Sequence, residues 1–349
     1  MHFNENIKID NYILSNNNPV FIVGEAGVNH NGSIENAKKL VDIACRAKVD
    51  AVKFQMFKSE NLVLSNVDKA PYQKKSTDKM QSQYDMLKKL ELCEDEYVEV
   101  FNYARNQGII PLCTPFDDYS LDFLDKLNVS AFKVAATDLT NIHFLRKIAK
   151  KGRPIILSAG MCYLEEVRVA LEAIYPFNRD VILLQCTANY PLENNEVNLN
   201  VIDTFKQEFD IIVGYSDHSK GIGAAPYAVA KGAKFIEKHF TIDKESAGPD
   251  HKASVTPDEL RELVIEIRKV EQYLGNHIKT PTLSESFTRK SLQKCLVTNC
   301  KIRKGEYFSK NNVTAKRTGG EGISALYFDY IMGKIVNRDY DENEIIDML

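Results

Sequence analysis

The sequence lacks the features typical of membrane, nucleic-acid-binding and secreted proteins. No apolar run approaches the roughly 20 residues of a membrane-spanning helix. The first residues, 1–8, contain no apolar signal-peptide core. The net charge of -3 is too small for a general nucleic-acid binder. We therefore expect a cytoplasmic protein with neither membrane nor nucleic acid as a partner.

Cysteine is present but is not arranged in pairs. The seven cysteines are scattered, and none forms a Cys-x-x-Cys motif. Their number is odd, and several lie in apolar, strand-like runs. A disulfide framework or a zinc-cysteine site is therefore not expected. The pattern predicts reduced, buried thiols.

Eight strand-like runs alternate with amphipathic helical segments along the first three quarters of the chain. This alternation is typical of a parallel sheet covered by helices. Eight units without a leftover strand favour a closed (β/α)8 TIM barrel over an open doubly wound sheet, although periodicity alone leaves closure open. One of the helices is predicted from Ile34 to Ala47, with Ser33 as its N-cap. The strand-like runs are residues 20–25, 51–57, 109–114, 131–135, 154–158, 181–187, 211–218 and 233–239.

The chain is longer than the roughly 250 residues of such a barrel, which leaves room for one small domain. A last barrel helix is predicted from about Pro257 to Leu274. Glycine, proline and serine then mark residues 276–288 as a linker. We expect a barrel over 1–275 and a compact C-terminal domain over 289–349.

Two histidines end consecutive strand-like runs, His218 and His239. The segment 221–232 between them reads as a crossover helix that ends at Gly232. A βαβ unit brings the carboxyl ends of both strands to the same side of the sheet, so the two imidazoles can converge on one metal ion. With Glu25, they would form a site with open positions for water or substrate oxygen. The alternative for a single strand-end histidine is a structural role.

Two lysines interrupt otherwise apolar strands, Lys53 and Lys133. A buried ammonium is costly unless it meets an anion, so the pair predicts an anion pocket. Hydroxyl groups at neighbouring strand ends fit a phosphate and a carboxylate, and these are Thr114, Ser158 and Ser216. Lys53 taken alone could instead extend its ammonium to water at the sheet edge, and Thr114 and Ser158 could cap helices. The pattern as a whole favours metal-assisted chemistry on a phosphorylated small anion.

The motifs that carry these residues resemble the sialic acid synthase family, in order and over nearly the whole chain. They are Gly24-Glu25-Ala-Gly-Val-Asn29-His30-Asn31-Gly32, Val52-Lys53-Phe-Gln55, Cys113-Thr114-Pro115-Phe116-Asp117, Leu157-Ser158-Ala-Gly160-Met161, Cys186-Thr-Ala-Asn-Tyr190-Pro191, Gly214-Tyr-Ser216-Asp-His218, Glu237-Lys-His239-Phe-Thr and Gly248-Pro-Asp250-His251-Lys. The C-terminal stretches 302–306 and 316–324 resemble the antifreeze-like (SAF, β-clip) domain of the same enzymes.

The resemblance implies a transferase that condenses phosphoenolpyruvate with an N-acetylated hexosamine and releases phosphate. It implies a divalent metal on His218 and His239, typically Mn2+, with Mg2+ or Co2+ as alternatives. It also implies a domain-swapped homodimer in which the C-terminal domain reaches the partner's barrel. Phosphoenolpyruvate would be held by Lys53, Thr114, Lys133, Ser158 and Ser216. The sugar would face Gln55, Asp138, Tyr190, Asp250 and Arg317. The catalytic group would comprise Glu25, Lys53, His218 and His239.

Two departures from the family pattern bear on the sugar. After the fourth strand, Ala136-Thr137-Asp138 stands where the family usually has Ser-Gly-Glu. At the sixth strand, Ala188 stands where some members have a phosphate-facing asparagine, with Asn189 beside it. N-acetylmannosamine, giving N-acetylneuraminate, is the expected sugar on family frequency. A 2,4-diacetamido-trideoxy sugar leading to legionaminic acid is the alternative.

Other functional classes remain compatible with parts of this pattern. A different barrel enzyme, such as a metal hydrolase or a phosphoenolpyruvate aldol enzyme that uses a phosphorylated sugar, shares the barrel and the anion pocket. An aldol enzyme of the latter kind would need a second basic cluster, which the sequence does not suggest. A non-catalytic sugar-binding protein would have no need for the histidine pair together with the buried lysines. Within the expected reaction, Glu25 is the carboxylate best placed to position or deprotonate the attacking water.

Overall fold

The computed structural model describes residues 1–70, 73, 77, 81–190 and 192–347. Eight parallel strands close into a barrel, with β3 paired to β10, so the predicted TIM barrel is confirmed. The barrel strands are β3 (Phe21–Gly27), β4 (Ala51–Met56), β5 (Ile110–Pro115), β6 (Phe132–Val134), β7 (Ile155–Ser158), β8 (Val181–Cys186), β9 (Ile212–Asp217) and β10 (Phe235–His239), and they follow β1 (Asn6–Ile9) and β2 (Tyr12–Ser15). Pro191 of the sixth-strand motif and part of the polar excursion 58–83 lie outside the described residues.

Strand pleating sorts the side chains of every barrel strand into two layers. Alternate residues point inward and form one apolar cluster, to which β3 contributes Phe21 and Val23. The intervening residues pack outward against the helices. The next inward positions towards the carboxyl ends are polar, and Glu25 is the one on β3. The interior of the barrel is therefore a packed apolar core, and polar side chains lie at its carboxyl end, which we call the mouth.

The helices pack on the outside of the barrel. The predicted helix Ile34–Ala47 is confirmed, and the Ser33 hydroxyl accepts a hydrogen bond from the backbone N–H of Asn36 as its cap. The predicted helix Pro257–Leu274 is also confirmed, and a Thr256–Glu259 capping box starts it. Among the described residues of this part, the other helices with more than six residues are Glu94–Asn106, Asp118–Lys126, Ile142–Lys150, Leu164–Ile174 and Val201–Phe209. No helix in the described ranges is long and apolar enough to cross a membrane.

The crossover between β9 and β10 is shorter than predicted. Its helix covers only Ala225–Ala230, with a proline in the first turn. The glycine-containing start of the segment forms a turn instead, because glycine has a high entropic cost in a helix. The helix ends before Gly232, whose positive φ of 89° reverses the chain into β10. The crossover still delivers both histidines to the same end of the barrel.

An N-terminal hairpin that the sequence analysis did not predict closes the opposite end of the barrel. Strands β1 and β2 pair in antiparallel fashion, with Ile9 opposite Tyr12. The side chains of Ile7, Ile9 and Leu14 are fully buried in the same cluster as Phe21 of β3. The alternation of Ile7 and Ile9 before the Asp-Asn turn is a usable hairpin signal. Consequently, the inner core is closed at the end remote from the polar mouth.

Residues Asn276–Leu349 form a second compact unit. Strands β11 (Lys294–Thr298) and β12 (Val313–Arg317) pair in antiparallel fashion. The core of this unit consists of Leu296, Ile302, Phe308, Val313, Ile331, Val336, Tyr340 and Ile346. The segment predicted as a linker contains the start of the helix Leu283–Leu292, which a Thr282–Glu285 capping box begins. The composition concealed this helix because its caps are the same polar residue types that mark loops.

Candidate active site

A cavity of about 650 Å³ opens at the carboxyl end of the barrel strands. Nearly all of the predicted site residues line it, namely Glu25, Lys53, Gln55, Thr114, Lys133, Ser158, Tyr190, Ser216, His218, His239 and Asp250. Asp138 does not line the cavity, whereas its neighbour Thr137 does. A 3-10 turn directs the Asp138 carboxylate to the side-chain amide of Asn141, which donates to it at 3.1 Å. Arg317 is exposed at the end of β12 in the second unit.

The two lysines meet over a carboxylate that the sequence analysis missed. Glu237 Oε2 lies 3.6 Å from Lys53 Nζ, and Glu237 Oε1 lies 3.8 Å from Lys133 Nζ. The Ser216 hydroxyl donates to Glu237 Oε1 at 3.0 Å. All four side chains are buried. Glu237 shares the inward face with His239 two residues later, and this parity of β10 was the signal that could have identified it.

Each lysine also binds its predicted hydroxyl. Lys53 Nζ donates to Thr114 Oγ1 at 3.0 Å, and it lies 2.8 Å from Glu25 Oε2. Lys133 Nζ donates to Ser158 Oγ at 2.7 Å and to the carbonyl of Val134 at 3.1 Å. An ammonium has three donors, and the contacts to Glu237 are longer than hydrogen bonds. The pair can therefore turn donors towards an anion in the cavity.

The same pocket shifts the acidity of its own groups. Burial lowers the pKa of Lys133, whereas Glu237 and Glu25 outweigh the effect of burial on Lys53 and raise its pKa. Lys133 and Lys53 hold the pKa of the Glu237 carboxyl below its usual range despite its burial. Burial raises the pKa of Glu25 to about 7, against the opposing effect of Lys53. Glu25 can thus exchange a proton near neutral pH.

The two histidines face each other across the cavity with ring centroids 5.5 Å apart. His218 Nδ1 lies 2.8 Å from the carbonyl of Thr187, so this nitrogen carries the proton and Nε2 is left as an acceptor. His239 Nδ1 has no hydrogen-bond partner among the described residues, although it is buried. Burial lowers the pKa of His218 to about 4 and that of His239 well below its usual range. Both imidazoles are therefore neutral, which is the form that binds metals.

A divalent metal fits this pair chemically. A carbonyl that fixes the tautomer of one imidazole is a common outer partner of metal-binding histidines. The buried Nδ1 atom of His239 has no hydrogen-bond partner among the described residues, and a bound metal or substrate would give this imidazole a function that the protein alone does not. Within the described residues, no cluster of three or more His, Cys, Asp or Glu side chains could hold a metal. In the described part of the chain, Glu25 therefore does not join the two histidines as a third ligand, contrary to the expectation from the sequence.

A glycine allows the carboxylate and the histidine to come together. The ladder between β3 and β4 shifts register between Glu25 and Gly27, and Gly27 has a positive φ of 53°. A Cβ atom on Gly27 would lie 3.3 Å from Glu25 Oε1 and 3.6 Å from the His239 ring. A side chain would be strained there by the positive φ and would crowd the Glu25 carboxylate, whereas its distance from the His239 ring is that of an ordinary contact. This bulge is one of the local features that set the mouth of the barrel.

One wall of the cavity is apolar, and the sequence analysis did not foresee it. Val28, Phe57, Met86 and Leu90 form a small buried cluster, against which Leu62, Leu87 and Phe116 pack. All of these side chains line the cavity. Three of the seven, Leu62, Met86 and Leu87, come from the short helices Ser59–Leu62 and Gln83–Lys88, within and after the excursion that reads as polar. The cavity therefore joins a charged base to an apolar side.

The two departures from the family pattern are close to each other in space. A Cβ atom on Gly160 would lie 3.2 Å from Ala136 Cβ and 3.3 Å from Ala188 Cβ. The same position is 3.2 Å from Cys186 Sγ. Ala136, Ala188 and Cys186 all line the cavity. Small side chains therefore replace potential hydrogen-bonding groups at one continuous part of the wall.

A parallel barrel whose mouth combines buried lysines, carboxylates and neutral histidines has the architecture of an enzyme that acts on a small anionic substrate. Residues 40–279 match the NeuB family, and the chain belongs to that family of synthases.

Named relatives cover almost the whole chain. It is 44% identical over 328 residues to the N,N'-diacetyllegionaminic acid synthase of Campylobacter jejuni, covering 93% of this chain and 98% of the relative. It is 42% identical over 318 residues to the Legionella pneumophila enzyme of the same name, covering 90% and 89% of the two chains. The crystal structure of the N-acetylneuraminic acid synthetase of Leptospira borgpetersenii, in complex with citrate, matches with a TM-score of 0.73 at 34% identity. That match covers 83% of this chain and 98% of the other.

Asp250 gives a stability test of the site. Burial raises its pKa to about 6, so the folded state binds a proton more tightly than the unfolded state. The stabilisation is complete below about pH 4 and is lost as the pH rises through about 6. Asp250→Asn lacks this term, and we expect the variant to gain on the order of 2 kcal/mol over the native protein between pH 4 and pH 7.

Thermal denaturation at several pH values measures this difference. The exposed Asp95, at the start of the helix Glu94–Asn106, supplies the matched control Asp95→Asn. The control removes one carboxylate from the first turn of this helix, so it should lose at most about 1 kcal/mol, by the same amount at every pH above about 5. A constant offset of Asp250→Asn across the pH range would contradict the assignment of the burial effect to this carboxyl.

Proposed function

We propose that this enzyme condenses phosphoenolpyruvate with the open-chain form of an N-acetylated amino sugar, releasing phosphate and a nine-carbon 2-keto acid. The observation that carries the proposal is the composition of the cavity. Two buried lysines with donors available lie on one side, and two neutral imidazoles lie at the same mouth. The first group suits a small phosphorylated carboxylate, and the second suits the aldehyde with its metal.

The anion pocket orients phosphoenolpyruvate. Lys53 and Lys133 would neutralise its phosphate and carboxylate, and the hydroxyls of Thr114, Ser158 and Ser216 would add hydrogen bonds. These groups are already held by one another and by Glu237, so little reorganisation accompanies binding. The pocket thus holds the nucleophilic carbon C3 in a fixed place.

His218 and His239 would hold the divalent metal, with manganese as the expected ion. When bound, the metal would supply Lewis-acid stabilisation of charge on the aldehyde oxygen. The histidines need no deprotonation to act as ligands, because both are neutral in the folded protein. The ring of Tyr190, with its centroid 4.0 Å from that of His218, would cover this part of the site.

Glu25 would handle the proton of the attacking water. C3 of phosphoenolpyruvate forms a bond to the aldehyde carbon, and the aldehyde oxygen takes up a proton to become a hydroxyl. Water adds at C2, and Glu25 receives the proton that this water loses. The C2–oxygen bond to phosphate then breaks, the proton of the C2 hydroxyl passes to the departing phosphate, and C2 becomes the keto carbon. A pKa of about 7 suits Glu25 to this task, and Gln55 Nε2 holds the carboxylate in place by donating to Oε1 at 2.8 Å.

For the sugar, we propose 2,4-diacetamido-2,4,6-trideoxymannose, which would make the product N,N'-diacetyllegionaminic acid. The names of the Campylobacter and Legionella relatives support this choice. The apolar wall also supports it, because a 6-deoxy methyl group and acetamido methyl groups gain from burial against Phe57, Met86 and Leu90. N-acetylmannosamine, the sugar expected from family frequency, carries a hydroxymethyl group where the trideoxy sugar carries the methyl group, and a hydroxyl where the trideoxy sugar carries the 4-acetamido group.

The proposed function predicts phosphate release from phosphoenolpyruvate that depends on the sugar. With manganese present, kcat/KM for the trideoxy sugar should exceed that for N-acetylmannosamine by at least about tenfold, or about 1.4 kcal/mol of transition-state binding. Met86→Gln keeps the side-chain length but makes the wall polar, and it should reduce this preference. A higher kcat/KM for N-acetylmannosamine would reverse the proposed order, and no phosphate release with either sugar would refute the reaction.

The metal proposal predicts that His218→Ala and His239→Ala lose both manganese binding and most of the turnover while remaining folded. Mn2+ binding followed by electron paramagnetic resonance measures the first effect without any substrate. The exposed His143 provides the matched control, His143→Ala, which should bind and react like the native protein. Full activity of a chelated, metal-free native preparation would contradict the proposal.

We propose that Arg317 completes the active site of a partner subunit in a domain-swapped dimer, with residues 289–349 as the antifreeze-like domain. All described residues that line the cavity lie between 25 and 250, whereas Arg317 ends β12 with its side chain exposed. A planar guanidinium suits sugar hydroxyls or an acetamido oxygen.

Mixing Arg317→Ala subunits with His239→Ala subunits tests the exchange between subunits. If the arginine acts across the dimer, one site of the heterodimer carries both lesions and the other carries neither. Activity should then reappear after chain exchange. Purified heterodimers that remain inactive would mean that Arg317 does not act in trans.

A further inference from the structure

The loop that follows β10 carries Asp250 into the cavity wall. The Ser254 hydroxyl donates to the carbonyl of Asp250 at 2.7 Å, and two backbone N–H groups of the same turn donate to this carbonyl at 3.1 Å. These bonds shape the turn, but they are local to it. The position of the Asp250 carboxylate relative to the barrel therefore depends on what ties this turn to other elements.

His251, the residue after Asp250, makes such a tie. Its Nδ1 lies 2.6 Å from the hydroxyl of Thr241, at the start of the loop. Its Nε2 lies 3.1 Å from Oδ1 of Asn31, in the turn after β3. The side-chain amide of Asn31 donates to the carbonyl of Ala247 at 2.9 Å. His251 is buried and lies outside the set of cavity-lining residues.

The direction of every hydrogen bond in this chain can be assigned. Asn31 uses its N–H to reach Ala247, so its oxygen faces His251. His251 must then donate from Nε2. Burial lowers the pKa of His251, so the ring is neutral and its Nδ1 is an acceptor. This nitrogen lies 2.6 Å from the Thr241 hydroxyl, closer than the competing carbonyl of Asp243 at 3.1 Å, so we assign the hydroxyl proton to His251. The side chains of Thr241, His251 and Asn31 thus form one continuous chain of hydrogen bonds, here called the relay, which joins the segment just after β10 to the turn after β3.

The backbone of the loop packs directly on this relay. Gly248 has a φ of 157°, and a Cβ atom there would lie 2.6 Å from Cδ2 and 2.9 Å from Nε2 of His251. The same Cβ atom would lie 3.0 Å from Oδ1 of Asn31. The chain two residues before Asp250 thus rests on the imidazole, without room for another atom. A displacement of the ring would move the loop with it.

We propose that His251 is a positioning residue for the second substrate, and that it acts by holding Asp250 against the sugar through Thr241 and Asn31. The inference rests on the proposed function and refines the sugar side of the site. The two substrates should then respond differently, because Lys53, Lys133 and Glu237 hold the phosphoenolpyruvate pocket through contacts that do not involve Thr241, His251 or Asn31.

The test compares His251→Ala, Thr241→Val and His251→Gln in steady-state kinetics with both substrates varied. A displacement of about 1 Å can cost on the order of 100-fold in rate, so we expect the KM for the sugar to rise by about 10- to 100-fold in His251→Ala. The KM for phosphoenolpyruvate and the Mn2+ affinity should remain near their native values. Thr241→Val should show a smaller effect of the same kind.

His251→Gln supplies the rescue, since its side-chain amide can still donate to Asn31. This variant should recover most of the sugar affinity, and the exposed His143→Ala should lose none. Gly248→Ala disturbs the relay from the loop side and should reproduce the His251→Ala profile. Equal losses for both substrates, or an unchanged KM for the sugar, would overturn the positioning role.

Amide hydrogen exchange tests the relay without any substrate. His251→Ala should accelerate exchange in residues 243–255 and leave the barrel strands unchanged, whereas native rates in that loop would overturn the inference. Failure of the proposed function is distinguishable, because the native enzyme itself would then release no phosphate in the same assay.

Discussion

The mouth of the barrel depends on the burial of two ammonium groups beside one shared carboxylate. Removing a charge from water costs several kcal/mol unless a partner replaces the lost solvation. Glu237 offers that partner to Lys53 and to Lys133 at 3.6 and 3.8 Å. At these distances the carboxylate of Glu237 compensates the charge of the two ammonium groups without occupying all of their N–H donors. A closer pairing would stabilise the empty pocket further and would leave less for an anion.

The electrostatics of the remaining groups follow from this arrangement. Glu25 lies next to Lys53 yet remains protonatable near neutral pH, because its complete burial opposes the attraction of the lysine. Burial, together with the neighbouring His218 and the same lysines, lowers the pKa of His239 and keeps its imidazole neutral. A single compact set of side chains therefore prepares an anion pocket, a proton acceptor and two neutral ligands. Each of these states depends on water being scarce at the base of the cavity.

Much of the barrel and of its polar mouth could be predicted, because buried parallel strands read as apolar runs that alternate with helical segments, and polar residues stand out within or at the end of such runs. The pattern identified the eight strands and the strand-end residues Lys53, Lys133, His218 and His239. It did not identify Glu237, because this residue lies two positions before the strand-end His239, on the same inward face of β10. The apolar wall and the true direction of Asp138 depend on how an irregular excursion and a 3-10 turn fold, and local sequence patterns do not encode such geometry. The helix Leu283–Leu292 could not be predicted, because its capping residues are polar and none of its side chains is buried, so its sequence has no clear apolar face.

The pairing of β3 with β10 has a consequence for the order of events during synthesis. Phe21 stacks on Phe235 with ring centroids 5.6 Å apart. The strand pair that closes the barrel therefore joins residues more than two hundred positions apart in the sequence. A ribosome making about 5 to 20 residues per second needs on the order of ten seconds or more to deliver β10 after β3. Throughout that interval β3 lacks one neighbour, and the apolar side chains of the N-terminal hairpin lack part of their packing. Until the last strand emerges, the nascent chain therefore has an unpaired sheet edge and a hairpin that is only partly packed. This stage of synthesis is the one most exposed to aggregation and to chaperone binding.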